Sequence, residues 1–175
     1  MTRSATFLLL LLTLPACGRT DPARPPRADS ALPRPGVTED AGPAPDGPSH
    51  AVYVPIYSHI FLRDDGRPFP LAVTLTVRNT DRAAPLHVSA VDHHSASGDR
   101  VRRFVPRPIR IAPLASAEFF VTEGGTTGGS SASVLVDYHA PAGASPPIVE
   151  AVMVGSGMNQ GIAFTSTGRP VDPPH

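Results

Sequence analysis

The stretch Leu71–Arg78, LAVTLTVR, decides the fold of this chain. Its odd-numbered positions are all Leu or Val, and its even-numbered positions are Ala, Thr, Thr and Arg. Alternation with a period of two, together with β-branched residues on both faces, is typical of a β-strand. The turn-forming triplet Asn79-Thr80-Asp81 follows directly and predicts the end of the strand.

Short segments of the same kind recur on both sides of this strand, and no window shows a sustained helical stripe. The further strands are predicted at Leu86–Asp92, Arg100–Val105, Arg110–Ile111, Ser116–Thr122, Ser133–His139, Ile148–Val154 and Gly161–Thr167. The pattern predicts an all-β domain over residues 51–169, an immunoglobulin-like antiparallel sandwich of about eight strands. A small open barrel is the alternative.

The composition excludes several classes of protein. The 15 basic and 15 acidic residues balance, whereas a general nucleic-acid binder needs a basic face to displace counterions. The single cysteine excludes an intramolecular disulfide and a zinc site built from paired cysteines. We therefore expect no nucleic-acid partner and no cofactor.

The amino terminus has the pattern of an export signal. The apolar run Phe7–Leu14 is too short to span a bilayer but fits the core of a secretory signal. Leu14-Pro15-Ala16-Cys17 resembles a bacterial lipobox, which implies that residues 1–16 are cleaved and that Cys17 carries lipid. Gly18 replaces the aspartate that commonly retains lipoproteins at the inner membrane, so the resemblance favours a periplasm-facing anchor in the outer membrane.

A proline-rich segment separates this signal from the domain. Eight prolines lie between Asp21 and His50, where Leu32 and Val37 are the large apolar residues. Such a segment buries too little to offset the entropy of ordering. We predict a disordered, lipid-anchored linker over residues 17–50 and a disordered tail over residues 170–175.

Glu150 is the most unusual charged residue of the predicted strands. Apolar residues occupy both faces of its segment, which predicts a central strand with a buried carboxylate. Arg78, at the end of the other strongly apolar strand, is the expected partner. Two interpretations remain open: a buried ion pair that fixes strand register, or a carboxylate that binds a ligand.

Aromatic residues alternate in the first segment of the domain. Tyr53, Tyr57 and His59 fall on one face, and Phe61 continues it. This face either lines a binding groove together with Arg78 and Glu150 or packs within the sheet.

Motifs for catalysis and metal binding are weak. Asp92 and His94 share a strand face and are the metal candidates, but further ligands would have to come from elsewhere. Ser58 and His59 with Glu150 do not form a hydrolytic motif, because adjacent strand residues point to opposite faces and no nucleophile elbow precedes them. We therefore expect no enzyme activity.

Several segments together resemble the bacterial domain-of-unknown-function family DUF3124. They are Val52–Ile60, Leu75–Asp81, Ser116–Val121, Gly128–Ser130, Pro147–Met153 and Ile162–Arg169. The chain departs from the family pattern at His93 and His94, where tyrosine is common, and at Tyr138, where tryptophan is common. The resemblance implies an exported protein and no particular activity.

Taken together, the sequence predicts an envelope lipoprotein whose β-sandwich binds another protein or an envelope component. A small-ligand or metal-binding module is the first alternative, and an enzyme is the second. The sequence features behind the prediction are the lipobox, the linker and the strand pattern.

Overall fold

The computed structural model describes residues 35–40, 42, 48–62, 66–121, 129–157 and 160–171. Within these residues the chain forms strands and turns, and none of it forms a helix able to cross a membrane. The strands are β1 (Val37–Glu39), β2 (Ser49–Ile56), β3 (His59–Phe61), β4 (Pro68–Pro70), β5 (Ala72–Arg78), β6 (Leu86–His94), β7 (Arg100–Arg103), β8 (Ile109–Ile111), β9 (Ser116–Val121), β10 (Ala132–His139), β11 (Ile148–Gly157), β12 (Gln160–Thr167) and β13 (Arg169–Val171).

Two antiparallel sheets pack face to face. The larger sheet has seven strands in the order β1-β8-β6-β10-β2-β13, with β7 also paired to β6. The smaller sheet has four strands in the order β12-β11-β5-β9, and β3 and β4 form a separate hairpin. The predicted all-β sandwich is therefore confirmed, and the barrel alternative is not.

The core lies between the two sheets. The alternation that predicted β5 fills it: Val73, Leu75 and Val77 are at most 1% exposed. Val54, Val134 and Val136 contribute the facing layer from the larger sheet and are fully buried. Apolar side chains from both sheets meet because each strand turns one face inward, which is the two-layer arrangement expected of a chain this long.

Gly168 allows the chain to pass from one sheet to the other between β12 and β13. A Cβ atom there would lie 2.5 Å from Val52 Cγ1 and 3.0 Å from Val149 O. The Gly168 amide also donates a 2.8 Å hydrogen bond to Val149 O. Only glycine permits this approach of the backbone to the neighbouring sheet.

Both predicted flexible segments contain strand residues. Val37–Glu39 pair with β8 inside the predicted linker, and Arg169–Val171 pair with β2 at the start of the predicted tail. The larger sheet also begins earlier than predicted, because β2 starts at Ser49. Three-residue edge strands are too short to show alternation, so composition alone misassigns them. Residues 1–34 lie outside the described part of the chain.

The first segment of the domain is also broken where the sequence suggested one continuous face. Strand β2 ends at Ile56, and β3 begins at His59 as part of a separate hairpin. Tyr53 therefore lies on β2 and His59 on β3, and Tyr57 lies in the connection between the two strands.

The larger sheet has two ends, one at which the chain enters it and one at which β2 leaves it. At the proximal end, defined by Gly36 and Ser49, the chain enters the larger sheet through β1 and β2. At the distal end, defined by Tyr57 and the β3–β4 hairpin, β2 leaves it. The eight residues of β2 separate the two ends by roughly 27 Å, at about 3.4 Å per residue.

Candidate functional site

The described part of the structure presents an exposed cluster of aromatic and aliphatic side chains at its distal end. Three of its members, Tyr57, Phe61 and Leu62, keep between 36% and 56% of their surface exposed, whereas Phe164 is half-buried against the core. We call this cluster the aromatic surface; its members are Tyr57, His59, Phe61, Leu62 and Phe164.

Ring contacts hold the aromatic surface together. The Tyr57 and Phe164 ring centroids lie 5.9 Å apart in an edge arrangement, and those of His59 and Phe61 lie 5.3 Å apart at 88°. Edge-to-face pairs are favourable for aromatic quadrupoles. Tyr57 thus joins the end of β2 to β12, and His59 supports the exposed Phe61 ring.

The β3–β4 hairpin that carries half of this surface is seated on two glycines of β11. A Cβ atom at Gly155 would lie 2.5 Å from Phe69 Cε1 and 2.6 Å from Pro70 O. A Cβ atom at Gly157 would also press on the Phe69 ring, at 3.0 Å. The two glycines therefore receive Phe69 and fix the position of the hairpin. The sequence signal was a glycine pair inside a strand pattern.

Ser58 and His59 are in direct contact, but their hydrogen bond runs in the opposite direction to the one that activates a serine nucleophile. Ser58 Oγ lies 3.2 Å from His59 Nδ1. The same hydroxyl donates its proton to Gly129 O at 2.8 Å. It therefore accepts from the imidazole, whereas an activated serine donates to it. The contact fixes the orientation of the His59 ring at the start of β3.

The expected Arg78–Glu150 pair forms, but it is not buried. Arg78 Nε lies 3.1 Å from Glu150 Oε1, with the side chains 49% and 31% exposed. The expectation of burial was wrong because, within the described residues, the larger sheet covers one face of the smaller sheet and nothing covers the other. Ile148 and Val154, which share the outer face with Glu150, are each 48% exposed.

The five candidate residues do not form one polar cluster. Arg78 and Glu150 lie on the smaller sheet, and Arg78 pairs in register with Ile148. Tyr57 contacts Phe164, which pairs with Met153. Five residues along β11 separate these positions, or about 17 Å. Tyr53 is 42% exposed on β2 and pairs in register with Leu135 and Arg169.

The metal candidate Asp92 is engaged by arginine. Arg103 donates to both carboxylate oxygens, Nε to Oδ1 at 2.8 Å and Nη2 to Oδ2 at 2.7 Å. Arg100 Nη1 lies 3.5 Å from Oδ2. The Arg103 hydrogen bonds hold the pKa of Asp92 below its usual value. Among the described residues, no three His, Cys, Asp or Glu side chains are placed to hold a metal ion.

The outer face of the larger sheet carries a second carboxyl group near this pair. Burial raises the pKa of Asp137, and the charge of Asp92 adds to the effect. Arg103 acts in the opposite direction. The pKa values of Asp92 and Asp137 are thus displaced in opposite directions, that of Asp92 downwards by the hydrogen bonds from Arg103 and that of Asp137 upwards by burial.

A second concave feature lies at the proximal end. It is a groove of about 270 Å³ whose walls are proline, alanine and glycine around one aromatic stack. The rings of His50 and Tyr138 form that stack, with centroids 5.1 Å apart. Burial raises the pKa of the Tyr138 hydroxyl. Tyr138 therefore occupies an apolar site here, at a position where the family commonly has tryptophan.

Comparison with known proteins identifies the family but supplies no activity. The model of the family described as "Protein of unknown function (DUF3124)" matches residues 49–171, and the chain belongs to this family. No curated protein sequence matches the chain. A crystal structure of a Thermotoga maritima protein is similar at 12% identity and a TM-score of 0.41, over 69% of this chain and 92% of that one.

Proposed function

We propose that this protein is a lipid-anchored envelope protein whose β-sandwich binds another protein through the aromatic surface. The observation that carries the proposal is the exposure of Tyr57, Phe61 and Leu62, which lie within six residues of one another where β2 ends and β3 runs. Tyrosine and phenylalanine are enriched where proteins bind each other, and contiguous exposed apolar residues mark such sites.

The position of the aromatic surface supports the same proposal. The chain enters the domain at the proximal end, and the aromatic surface lies at the distal end. A domain tethered through Cys17 would therefore present this surface away from its own attachment point. The rigid seat of Phe69 on Gly155 keeps the surface pre-formed, which lowers the entropic cost of binding.

The lipid anchor is proposed from the sequence context of Cys17. Two or more acyl chains hold a protein on a membrane stably, since each buried CH₂ contributes about 0.8 kcal/mol. Cell fractionation of a Cys17→Ser variant tests the anchor separately from binding. We expect the variant to leave the membrane fraction and to lose the mobility of the lipidated form; an unchanged distribution contradicts the anchor.

Photocross-linking in cells tests the binding surface. A photoreactive phenylalanine analogue placed at Phe61 should give a discrete adduct with a protein. The same analogue at Leu114, which is 68% exposed and at the proximal end, is the matched control. Adducts of equal yield from both positions, or adducts with glycan or lipid from Phe61, would contradict protein binding at the aromatic surface.

The proximal groove favours a second candidate function, the binding of a small neutral ligand. The described residues of its lining include no Asp, Glu, Lys or Arg, so an ionic ligand would be desolvated there with no carboxylate, ammonium or guanidinium partner among them. Indole and cyclohexanol are suitable probes in a ¹⁵N NMR titration. Shifts confined to residues around Tyr138, and lost in Tyr138→Ala, would support this candidate; shifts that persist in Tyr138→Ala would contradict it.

A further inference from the structure

A short segment before the main domain is fastened to the edge of the larger sheet. Val37–Glu39 pair with β8, Ala112 N donates to Gly36 O at 2.8 Å, and Asp40 N donates to Pro108 O at 2.8 Å. The Val37 side chain packs against the core. These contacts bracket the three-residue strand on both sides.

A carboxylate–imidazole contact reinforces this attachment. Asp40 Oδ2 hydrogen-bonds His87 Nδ1, and the two side chains are only 12% and 9% exposed. His87 lies on β6, which β8 separates from β1, so the contact reaches across one strand. Charge-assisted hydrogen bonds of this kind are stronger than neutral ones.

The attachment of β1 involves few strand partners, whereas β2 pairs with strands on both of its sides. Among the described strands, β1 pairs with β8 alone and lies at the edge of the larger sheet. Strand β2, by contrast, is flanked by both β10 and β13 and packs its inward face into the core. Short edge elements with few buried apolar contacts open at lower free energy than core strands.

We infer that β1 is a clip that fastens the tether of this protein to its sandwich and opens without unfolding the domain. The inference concerns reach and therefore rests on the proposed tethered function. When the clip is closed, Gly36 O is held to the larger sheet by the hydrogen bond from Ala112 N. When the clip is open, the described chain is first held in that sheet at Ser49, where β2 begins.

Opening the clip changes how far the domain extends from its anchor. The attachment point moves from Gly36 to Ser49, and twelve residues, 37 to 48, lie between the two. At about 3.1 Å per residue in an extended chain, they add roughly 40 Å to the maximum span. The Asp40–His87 contact is thus a determinant of tether length, and a partner that binds the open form would lengthen the reach of the aromatic surface.

Spin labels measure the state of the clip directly. The full chain carrying Cys17→Ser accepts labels at Thr38→Cys, which is exposed on β1, and at Val154→Cys, which is exposed on the smaller sheet. We expect a narrow distance distribution that becomes broad and longer when Asp40→Asn is added. Amide exchange of Val37–Glu39 should accelerate at least tenfold in that variant, while exchange of Val52–Val54 stays unchanged.

A glycine pair supplies the matched control. Gly36 has φ +85°, and a Cβ atom there would meet Ala115 Cβ at 2.9 Å, so Gly36→Ala should open the clip. Gly98 has φ +88° with open space around it, so Gly98→Ala introduces similar backbone strain away from the clip and should leave it closed.

Two outcomes overturn the inference. The first is a narrow distribution that persists in both Asp40→Asn and Gly36→Ala. The second is loss of protection in Val52–Val54 together with Val37–Glu39, which would make β1 an integral part of the fold. Neither outcome depends on cross-linking at Phe61, so the clip and the proposed binding function fail independently.

Discussion

Arg78 and Glu150 form an ion pair across the open face of the smaller sheet, with Arg78 Nε 3.1 Å from Glu150 Oε1. Because both side chains remain in contact with water, the pair contributes little to stability. Glu150→Gln should lower the free energy of unfolding by less than about 1 kcal/mol in urea titrations. A double-mutant cycle with Arg78→Met should give a coupling energy of the same small size. A loss of 3 kcal/mol or so would indicate the buried pair that the sequence suggested.

Asp92 should be far more sensitive to the loss of its partner than Glu150. Its side chain is 9% exposed and accepts two hydrogen bonds from Arg103. Arg103→Met leaves that carboxylate with only the more distant Arg100, and should cost about 2–3 kcal/mol, somewhat below a fully buried pair. Arg107→Met, which removes an exposed pair with Glu39, is the control and should cost under about 1 kcal/mol. Equal losses in the two variants would contradict this account.

The turn after β5 should make stability depend on acid pH. Asp81 accepts hydrogen bonds from the amides of Ala83, Ala84 and Ser145, which lower its pKa to about 2. Because the folded-state pKa lies below the unfolded value, this contribution is complete above about pH 4 and is lost as the pH falls towards 2. Asp81→Asn should flatten the stability profile in that window. An unchanged profile would show that these hydrogen bonds do not favour the ionised form.

Asn79 holds the same turn to the end of β8. Its buried amide donates to Ala84 O at 2.9 Å, Ile111 O at 3.1 Å and Ala112 O at 3.2 Å. Asn79→Ala removes these donors and should cost about 1–3 kcal/mol of unfolding free energy. Thr80→Ala, which removes one exposed bond to Pro146 O, should cost less. A stable Asn79→Ala protein would contradict the structural role.

His93 should weaken the domain in mildly acidic solution. It is 5% exposed, its Nε2 has no hydrogen-bond partner within the described structure, and burial lowers its pKa. The unfolded chain therefore binds a proton below about pH 6.5 that the folded chain resists, and stability falls by at most about 1.4 kcal/mol per pH unit. His93→Leu should remove this slope between pH 6.5 and 5. His59→Leu, at a less buried imidazole, should leave it in place.

Gly155 should control the position of the hairpin. Gly155→Ala forces a Cβ atom against Phe69 and Pro70, which should destabilise the domain by about 1–3 kcal/mol and displace the hairpin. Gly161→Ala is the control, because the nearest atom to its added Cβ is Gly155 O at 4.0 Å. Thermal melts and NMR shifts of Phe61 report the two effects. Equal melting temperatures for the two variants would show that Phe69 does not pack closely against Gly155.

Period-two alternation was a reliable guide to the long strands. The predicted strand Leu71–Arg78 contains β5, whose Val and Leu side chains share one buried face as predicted, and Ile148–Val154 lies within β11. The predicted Arg78–Glu150 pairing also formed. These features depend on residues close in sequence or on two strands that are both strongly apolar, so local chemistry is enough to find them.

Tertiary structure alone decided which faces are covered and which distant residues meet. The apolar residues on both sides of β11 suggested burial, but Ile148 and Val154 on its outer face are each 48% exposed, since no described residue forms a third layer over it. Asp40 and His87 are 47 positions apart in the sequence. Phe164, on β12 of the smaller sheet, contacts Tyr57, which follows β2 of the larger sheet. Sequence alone therefore determined the all-β class and the main strands. The clip and the aromatic surface depend on how the sheets pack. Alternation along a strand shows that its two faces differ, but it does not show what packs against each face.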